Sequence, residues 1–396
     1  SSSAASDVYK RQFFLLLLPT GQASANNNDS IRLSLLTCAP GEEIYSLFGH
    51  TAIRYENSSQ GIDVVFNYGL FSFNTPNFIF RFSLGETDYQ LGATDYERFA
   101  AEYAFFGRSV WQQTLNLTDE EKTELIRLLQ ENYRPENRVY RYNFFYDNCA
   151  TRPRDKIEES IAGKVIYPAE PQDGSLTFRD IVHQYCKGHP WARFGIDLCI
   201  GSEADQPITQ RQMMFAPFYL MDAFDGAQIK GDSIQRPLIT ANELIVDATP
   251  EPDESDWMPT PLQCSLLLFI LTAAATIYGI RRRTGLWGID LFLFGIAGIV
   301  GCVLAFLALF SQHPAVSSNF LLLVFHPGQL LFLPYIIYCV RKGKKCWYLT
   351  LNLAVLTLFI VLFPVIPQRF DFAVVPLALV LLIRSASNLI VTSKKK

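Results

Sequence analysis

Residues 140–158 read YRYNFFYDNCATRPRDKIE, and the junction in the middle of this stretch decides the reading of the first two thirds of the chain. The aromatic half, 140–146, suits an extended segment, because rings pack well on a pleated, half-buried surface. Pro153 fits a helix only in its first turn, so the helix that follows begins between Cys149 and Arg152. A thiol is thereby set at a helix N-terminus, where the peptide dipoles favour the thiolate. Arg152 and Arg154 bring positive charge nearby, and Asp147 and Asn148 are candidate supporting groups immediately before the thiol.

A cysteine nucleophile requires a base, and the sequence upstream supplies one. Residues 31–37 are strand-like, Pro40-Gly41 forms a turn, 47–55 forms a second strand, 57–61 turns again, and 63–69 runs back as a third. The hairpin sets His50 and Asn67 on neighbouring strands. Helices are expected over 94–106 and 118–133, the second opening with Thr118 as N-cap and Glu121 completing a capping box. His183 lies in an amphipathic stretch (FRDIVHQYC) and reads as structural, and His189 precedes Pro190 in a loop. His50 is therefore the base that fits best, with Asn67 orienting its ring. A lone Cys and His are more often structural, so the residues by themselves leave catalysis against a structural role open. The chain has no C-x-x-C pair and no His/Cys cluster, so no metal or organic cofactor is expected. Cys186 and Cys199 flank a loop short enough for a disulfide to close; the sequence leaves their pairing open.

The 396 residues are 49% hydrophobic, 18% charged and carry a net charge of -4, without the basic excess of a nucleic-acid binder. The apolar residues concentrate in five candidate spans, roughly 262–280, 289–310, 320–340, 347–366 and 372–391. Arg281–Arg283, the basic run in 341–345 and Lys394–Lys396 follow the first, third and fifth spans, whereas 311–319 holds no Lys or Arg and 367–371 holds one Arg. The positive-inside rule puts the basic side and the C-terminus in the cytoplasm and the N-terminal domain outside. Lys10-Arg11, the apolar run Phe13–Leu18 and Ala23-Ser24-Ala25 follow the order of a secretory signal, with cleavage expected after Ala25. The expected organisation is a leader over 1–25, an exported domain over 26–248, an acidic Pro-rich linker over 249–261 with Trp257 at the interface, and a membrane domain over 262–396. His313 and Asn319 on the exported loop and His326 in the third span are candidate substrate contacts. Arg384 is expected to snorkel toward the interface.

The order His, hairpin, then Asn-Cys at a helix start resembles the circularly permuted papain-like thiol enzymes of the NlpC/P60 superfamily. More closely, FGHTAIR (48–54), FNYG (66–69), GRSV (107–110) and DNCATR (147–152) resemble the Bacteroidetes family whose exported part is called the Lnb N-terminal periplasmic domain, over about residues 32–190. The resemblance implies an α+β permuted papain-like (NlpC/P60-like) thiol domain followed by an all-α membrane domain of five transmembrane helices. It also implies lipoprotein N-acylation at the bacterial inner membrane. A phospholipid would be the acyl donor, the N-terminal cysteine amine of a diacylated lipoprotein the acceptor, and a thioester on Cys149 the intermediate. In that scheme His50 is the general base, the N–H of Cys149 with Asn148 stabilises the oxyanion, and Arg54 and Arg152 join the substrate-contact candidates. The competing readings are a membrane-anchored papain-like hydrolase, acting on cell wall or on lipid, and a non-enzymatic membrane scaffold.

Overall fold

The computed structural model of the protein describes residues 30–72, 76–168, 176–231, 235–248 and 258–393. The expected leader, its cleavage point, Trp257 and Lys394–Lys396 lie outside them. The chain opens with β1 (Ile31–Cys38), β2 (His50–Asn57) and β3 (Ile62–Leu70), paired antiparallel in sequence order. These are the three strands that alternation and turn residues predict. A short helix α1 (Phe78–Leu84) leads to β4 (Asp88–Asp95), α2 (Tyr96–Phe105), β5 (Val110–Leu115), α3 (Asp119–Tyr133) and β6 (Val139–Arg141). Thr118 and Glu121 form the expected capping box at the start of α3. Then come α4 (Thr151–Ser160), β7 (Lys164–Ile166), α5 (Phe178–Tyr185), α6 (Pro190–Cys199), α7 (Pro217–Asp225), β8 (Gln228–Lys230), β9 (Gln235–Pro237) and β10 (Ile239–Val246).

Seven strands form one antiparallel sheet in the order β10-β5-β1-β2-β3-β4-β6, with β1 to β3 at its centre. Both faces of this centre are covered, so β1 is buried over Leu33–Cys38 instead of alternating with solvent. Leu33, Leu35, Ile53, Phe66 and Tyr68 meet Leu125 and Leu129 of α3 and Ile157 of α4 on one face. Leu36, Ala52 and Val65 meet Phe99 of α2 on the other. The N-terminal part is thus an α/β domain in which the thiol-bearing turn before α4 lies against the central strands.

The membrane half contains α8 (Pro261–Arg282), α9 (Trp287–Phe310), α10 (Pro327–Leu331), α11 (Leu333–Lys342), α12 (Trp347–Leu362) and α13 (Val374–Ser393). Three of these, α8, α9 and α13, are each long and apolar enough to cross a bilayer. The expected third span is instead broken: residues 320–331 and α11 meet at an angle of 74°. Pro334 explains the break, because its ring cannot supply the N–H for residue 330 and clashes with that carbonyl. The expected fourth span is the 16-residue α12, about 24 Å long, against a hydrocarbon core of about 30 Å. The expected snorkelling of Arg384 is also corrected. Its guanidinium is buried against Asp290 of α9 (2.7 Å) and donates to Thr276 of α8 (2.9 Å), tying three helices together inside the bundle.

One end of this bundle is fastened to the α/β domain. Gln312 N–H donates to Leu84 O (2.8 Å), Asn319 Nδ2 to Leu198 O (2.7 Å), and Gln368 Nε2 to Ile200 O (3.2 Å). Arg369 pairs with Asp180 and Asp205, and Arg193 with Asp371. The docked loops are 311–319 and 367–371, the two with few basic residues. The α/β domain therefore sits on the side opposite Arg281–Arg283 and the basic run at 341–345, as the charge bias requires.

Candidate active site

Gly49, directly before His50, has φ +76°, and a Cβ there would lie 2.5 Å from the Cys38 carbonyl oxygen. Only glycine makes this turn into β2 without strain. Asn67 lies across the hairpin on β3. Its Nδ2 donates to Val65 O (3.3 Å), which turns its Oδ1 toward His50 Nε2 at 3.2 Å. An amide oxygen only accepts, so Nε2 carries the ring proton and Nδ1 keeps its lone pair. Cys149 sits two residues before α4. Its sulfur accepts the backbone N–H of Thr51, the residue that follows His50. Gly69 (φ +93°) brings the end of β3 against the thiol: a Cβ there would be 3.6 Å from the Cys149 Cβ. Cys149 and His50 are both half-buried.

Burial pushes the Cys149 thiol up to about 11, against the opposing pull of N–H groups from Thr51 and from its own backbone. Burial likewise lowers His50 to about 4; the Asn67 bond opposes this, and the Arg108 guanidinium adds to it. The resting groups are therefore a neutral thiol and a neutral imidazole. This overturns the expectation of a helix-stabilised thiolate: burial outweighs the N–H groups that favour the charge, and Asn148 occupies donors of the helix start. Asn148 Oδ1 accepts the N–H groups of Ala150 (2.8 Å) and Thr151 (3.0 Å), consuming the donors that would have faced the sulfur.

The same bonds correct the expected role of the Asn148 side chain. Its Nδ2 donates to Phe144 O and Phe215 O, and its backbone N–H to Thr151 Oγ1, so it builds the turn and has no donor left for an oxyanion. Asp147 takes both Nε and Nη2 of Arg152 (2.5 and 2.8 Å), and that guanidinium lies 3.6 Å above the Tyr140 ring.

The other candidates are placed elsewhere. Arg54 is held by Asp63 (2.6 Å) and Gln112 (2.8 Å) under the Tyr96 ring, which makes it part of the sheet framework. His313 Nε2 donates to Phe82 O (2.5 Å). Asn319 bridges Leu198 O and the N–H of Leu321. His326 meets Asn352 (3.3 Å) inside the bundle. His183 is held by Asp197 (2.9 Å), the structural role expected of it. Cys186 and Cys199 are both free thiols. A cavity of about 410 Å³ opens between α5 and α6, lined by Asp180, His183, Lys187 and Arg193, and does not include the thiol.

Two groups at the site were not singled out from the sequence. One is Thr51, whose N–H holds the sulfur. The other is Tyr140, whose Oη is buried with no hydrogen-bond partner among the described residues and lies 3.9 Å from the point where a Gly69 Cβ would stand. The period-2 pattern of Val139-Tyr140-Arg141-Tyr142 puts Tyr140 and Tyr142 on one face of β6. Their proximity to the thiol depends on the pairing of β6 with β4, which the local pattern does not specify.

No curated protein and no solved structure matches the chain. Residues 21–183, which carry His50, Asn67 and Cys149, match the family model described as the Lnb N-terminal periplasmic domain. Residues 253–396 match the model described as the Lnb transmembrane domain. With both parts present in order on one chain, and the membrane helices fastened to the domain that bears the thiol, the protein belongs to the Lnb family.

Proposed function

We propose that the protein moves one acyl chain from a membrane phospholipid to the N-terminal cysteine amine of a diacylated lipoprotein, through a thioester on Cys149. The observation that carries this reading is the conjunction of two features. Cys149 sulfur sits on the N–H of Thr51, the residue next to His50, whose ring tautomer Asn67 fixes, and the domain holding them is pinned to the ends of membrane helices.

In the first half-reaction His50 Nδ1 takes the thiol proton as the sulfur attacks the ester carbonyl. The carbon–oxygen bond then breaks, and the imidazolium returns its proton to the departing lysophospholipid alkoxide. In the second, the neutral amine attacks the thioester, its proton passes to His50, and the thiol is restored as the amide forms. A thiol and a neutral imidazole suit this cycle, since the proton moves only as the bond forms. Tyr140 Oη is the donor we assign to the oxyanion: a buried, unpaired hydroxyl costs about 1–3 kcal/mol in the resting protein, a cost that a bond made in the transition state would offset. Both substrates are lipid-anchored, which gives the membrane helices a purpose that cell-wall hydrolysis does not require. We further assign a permuted papain-like arrangement, a five-pass bundle completed by the bent α10–α11 pair and α12, and an inner-membrane location with the catalytic domain periplasmic and the C-terminus cytoplasmic.

The test is a reconstituted reaction with the full chain, phosphatidylethanolamine vesicles and a synthetic diacylglyceryl-cysteine lipopeptide. Equal amounts of triacylated peptide and lysophospholipid are expected from the wild type, and neither from Cys149→Ala. Lysophospholipid without triacylated peptide would make the protein a lipid hydrolase and overturn the reading.

A further inference from the structure

Helix α1 (Phe78–Leu84, FIFRFSL) contributes no buried side chain to the α/β domain. Ile79 is 80% exposed and Phe80 58%. A soluble domain does not usually cluster such residues on one short segment. The helix is nevertheless fixed in place. Phe80 packs on Phe306 of α9 (5.8 Å), and Phe306 on Phe310 (5.7 Å). Gln312 N–H binds Leu84 O, and His313 Nε2 binds Phe82 O. Its one cation, Arg81, is spent on Asp88 and on Glu86 O. The apolar side of α1 thus continues the outer end of a membrane-crossing helix whose own Leu309 and Phe310 are exposed.

From the other side of α1 a run of rings leads inward. Phe78 stacks on Phe71 (5.6 Å), Phe71 packs on Tyr89 (5.0 Å), and Tyr89 stacks on Tyr142 (4.1 Å). Tyr142 is close enough to Cys149 for a thiolate there to disfavour its ionisation, after the larger effect of burial. Phe71 follows β3 directly, so the run shares its strand with Asn67 and Gly69. A run of ring contacts therefore leads from the rim of α9 toward the strand end that lies against the thiol.

We propose that α1 is an interfacial helix seated in the outer leaflet, and that Phe78, Phe71, Tyr89 and Tyr142 form the path along which a phospholipid acyl chain leaves the bilayer toward Cys149. The destination of the chain rests on the acyl-transfer reading above; the seating of α1 in lipid does not. His313 accordingly acts as a positioning residue that holds α1 by its Phe82 carbonyl.

The test uses the full chain carrying Cys149→Ala, in phosphatidylethanolamine vesicles doped with an alkyne-tagged acyl chain. p-Benzoylphenylalanine is installed singly at position 79, at 71, or at the exposed position 102 as a control. Irradiation is expected to attach tagged lipid at 79 and at 71, each about tenfold above 102. Lipid at 79 but at background level at 71 would overturn the path, and background at 79 would overturn the seating. A second arm uses Ile79→Asp with Phe80→Asp, both at exposed positions. Acyl-enzyme formation from vesicles is expected to fall about tenfold, while alkylation of Cys149 by soluble iodoacetamide stays within about twofold of wild type. An unchanged acylation rate would overturn the proposal, as would an equal loss of alkylation. If position 79 crosslinks lipid yet the wild type never forms an acyl-enzyme, the acyl-transfer reading fails while the membrane-seated helix stands.

Discussion

Asn67→Asp replaces a neutral acceptor by a carboxylate at the same place, 3.2 Å from His50 Nε2. At an effective dielectric of about 20, two unit charges at that distance attract by about 5 kcal/mol. Roughly half of this is expected to survive, because the second carboxylate oxygen would face Val65 O, where Asn67 now donates an N–H, and because the new charge must shed water in a half-buried site. A gain of about 2.7 kcal/mol for the imidazolium corresponds to a hundredfold. The wild-type site disfavours proton transfer from the thiol, at about 11, to the imidazole, at about 4. The variant raises His50, so the ring takes up its proton about two pH units higher. The assay is the acid limb of acyl-enzyme formation on Cys149 in single turnovers, read by peptide mass spectrometry because eight cysteines are present. In Asn67→Asp that limb is expected about two pH units above its wild-type position near 4. A limb that stays near 4 would refute the coupling between Asn67 and His50.

The depressed His50 sets a pH limit. Its neutral, proton-accepting form persists down to about 4, so acyl-enzyme formation in single turnovers should keep its rate as pH falls through 6.5 and lose it only near 4; an acid limb at 6.5 would contradict the burial of the ring. Because an unfolded histidine takes up its proton near 6.5, the same group makes folding stability decline as pH falls from 6.5 to 4, which acid-dependent thermal unfolding would reveal. Tyr140→Phe should slow acyl-enzyme formation by about 10–100-fold with no loss of melting temperature, since the hydroxyl it removes is unpaired; an unaffected rate would remove Tyr140 from the site. Arg384→Ala leaves Asp290 buried without its partner and should cost about 3–5 kcal/mol. Adding Asp290→Asn should restore much of the folded yield in membranes, and a double variant as unstable as the sum of the singles would show that the pair does not couple.

The local patterns that the sequence displays are the ones the structure keeps. The capping box at Thr118, the turn glycines and the strand-like stretches of β1 to β3 depend on near neighbours, and these also set His50 and Asn67 across a hairpin. Departures arise where distant residues decide. The thiol fails to ionise because the fold buries it, while Asn148, one residue away, uses its side chain on the helix N–H groups that a dipole argument leaves free. Arg384 is buried because Asp290 and Thr276 come from helices far off in sequence. The third span breaks at Pro334, a signal present in the sequence but masked by the uniform apolarity around it. Tyr140 and the ring path from Phe78 are invisible in sequence because each contact crosses between strands or loops.

The account stands on whether Cys149 carries the acyl chain. Full-length protein incubated with phosphatidylethanolamine vesicles and no acceptor should show one fatty acyl group on the Cys149 peptide, released by neutral hydroxylamine and lost when diacylated lipopeptide is added. An unmodified Cys149 peptide alongside ongoing triacylation of the lipopeptide would contradict the account.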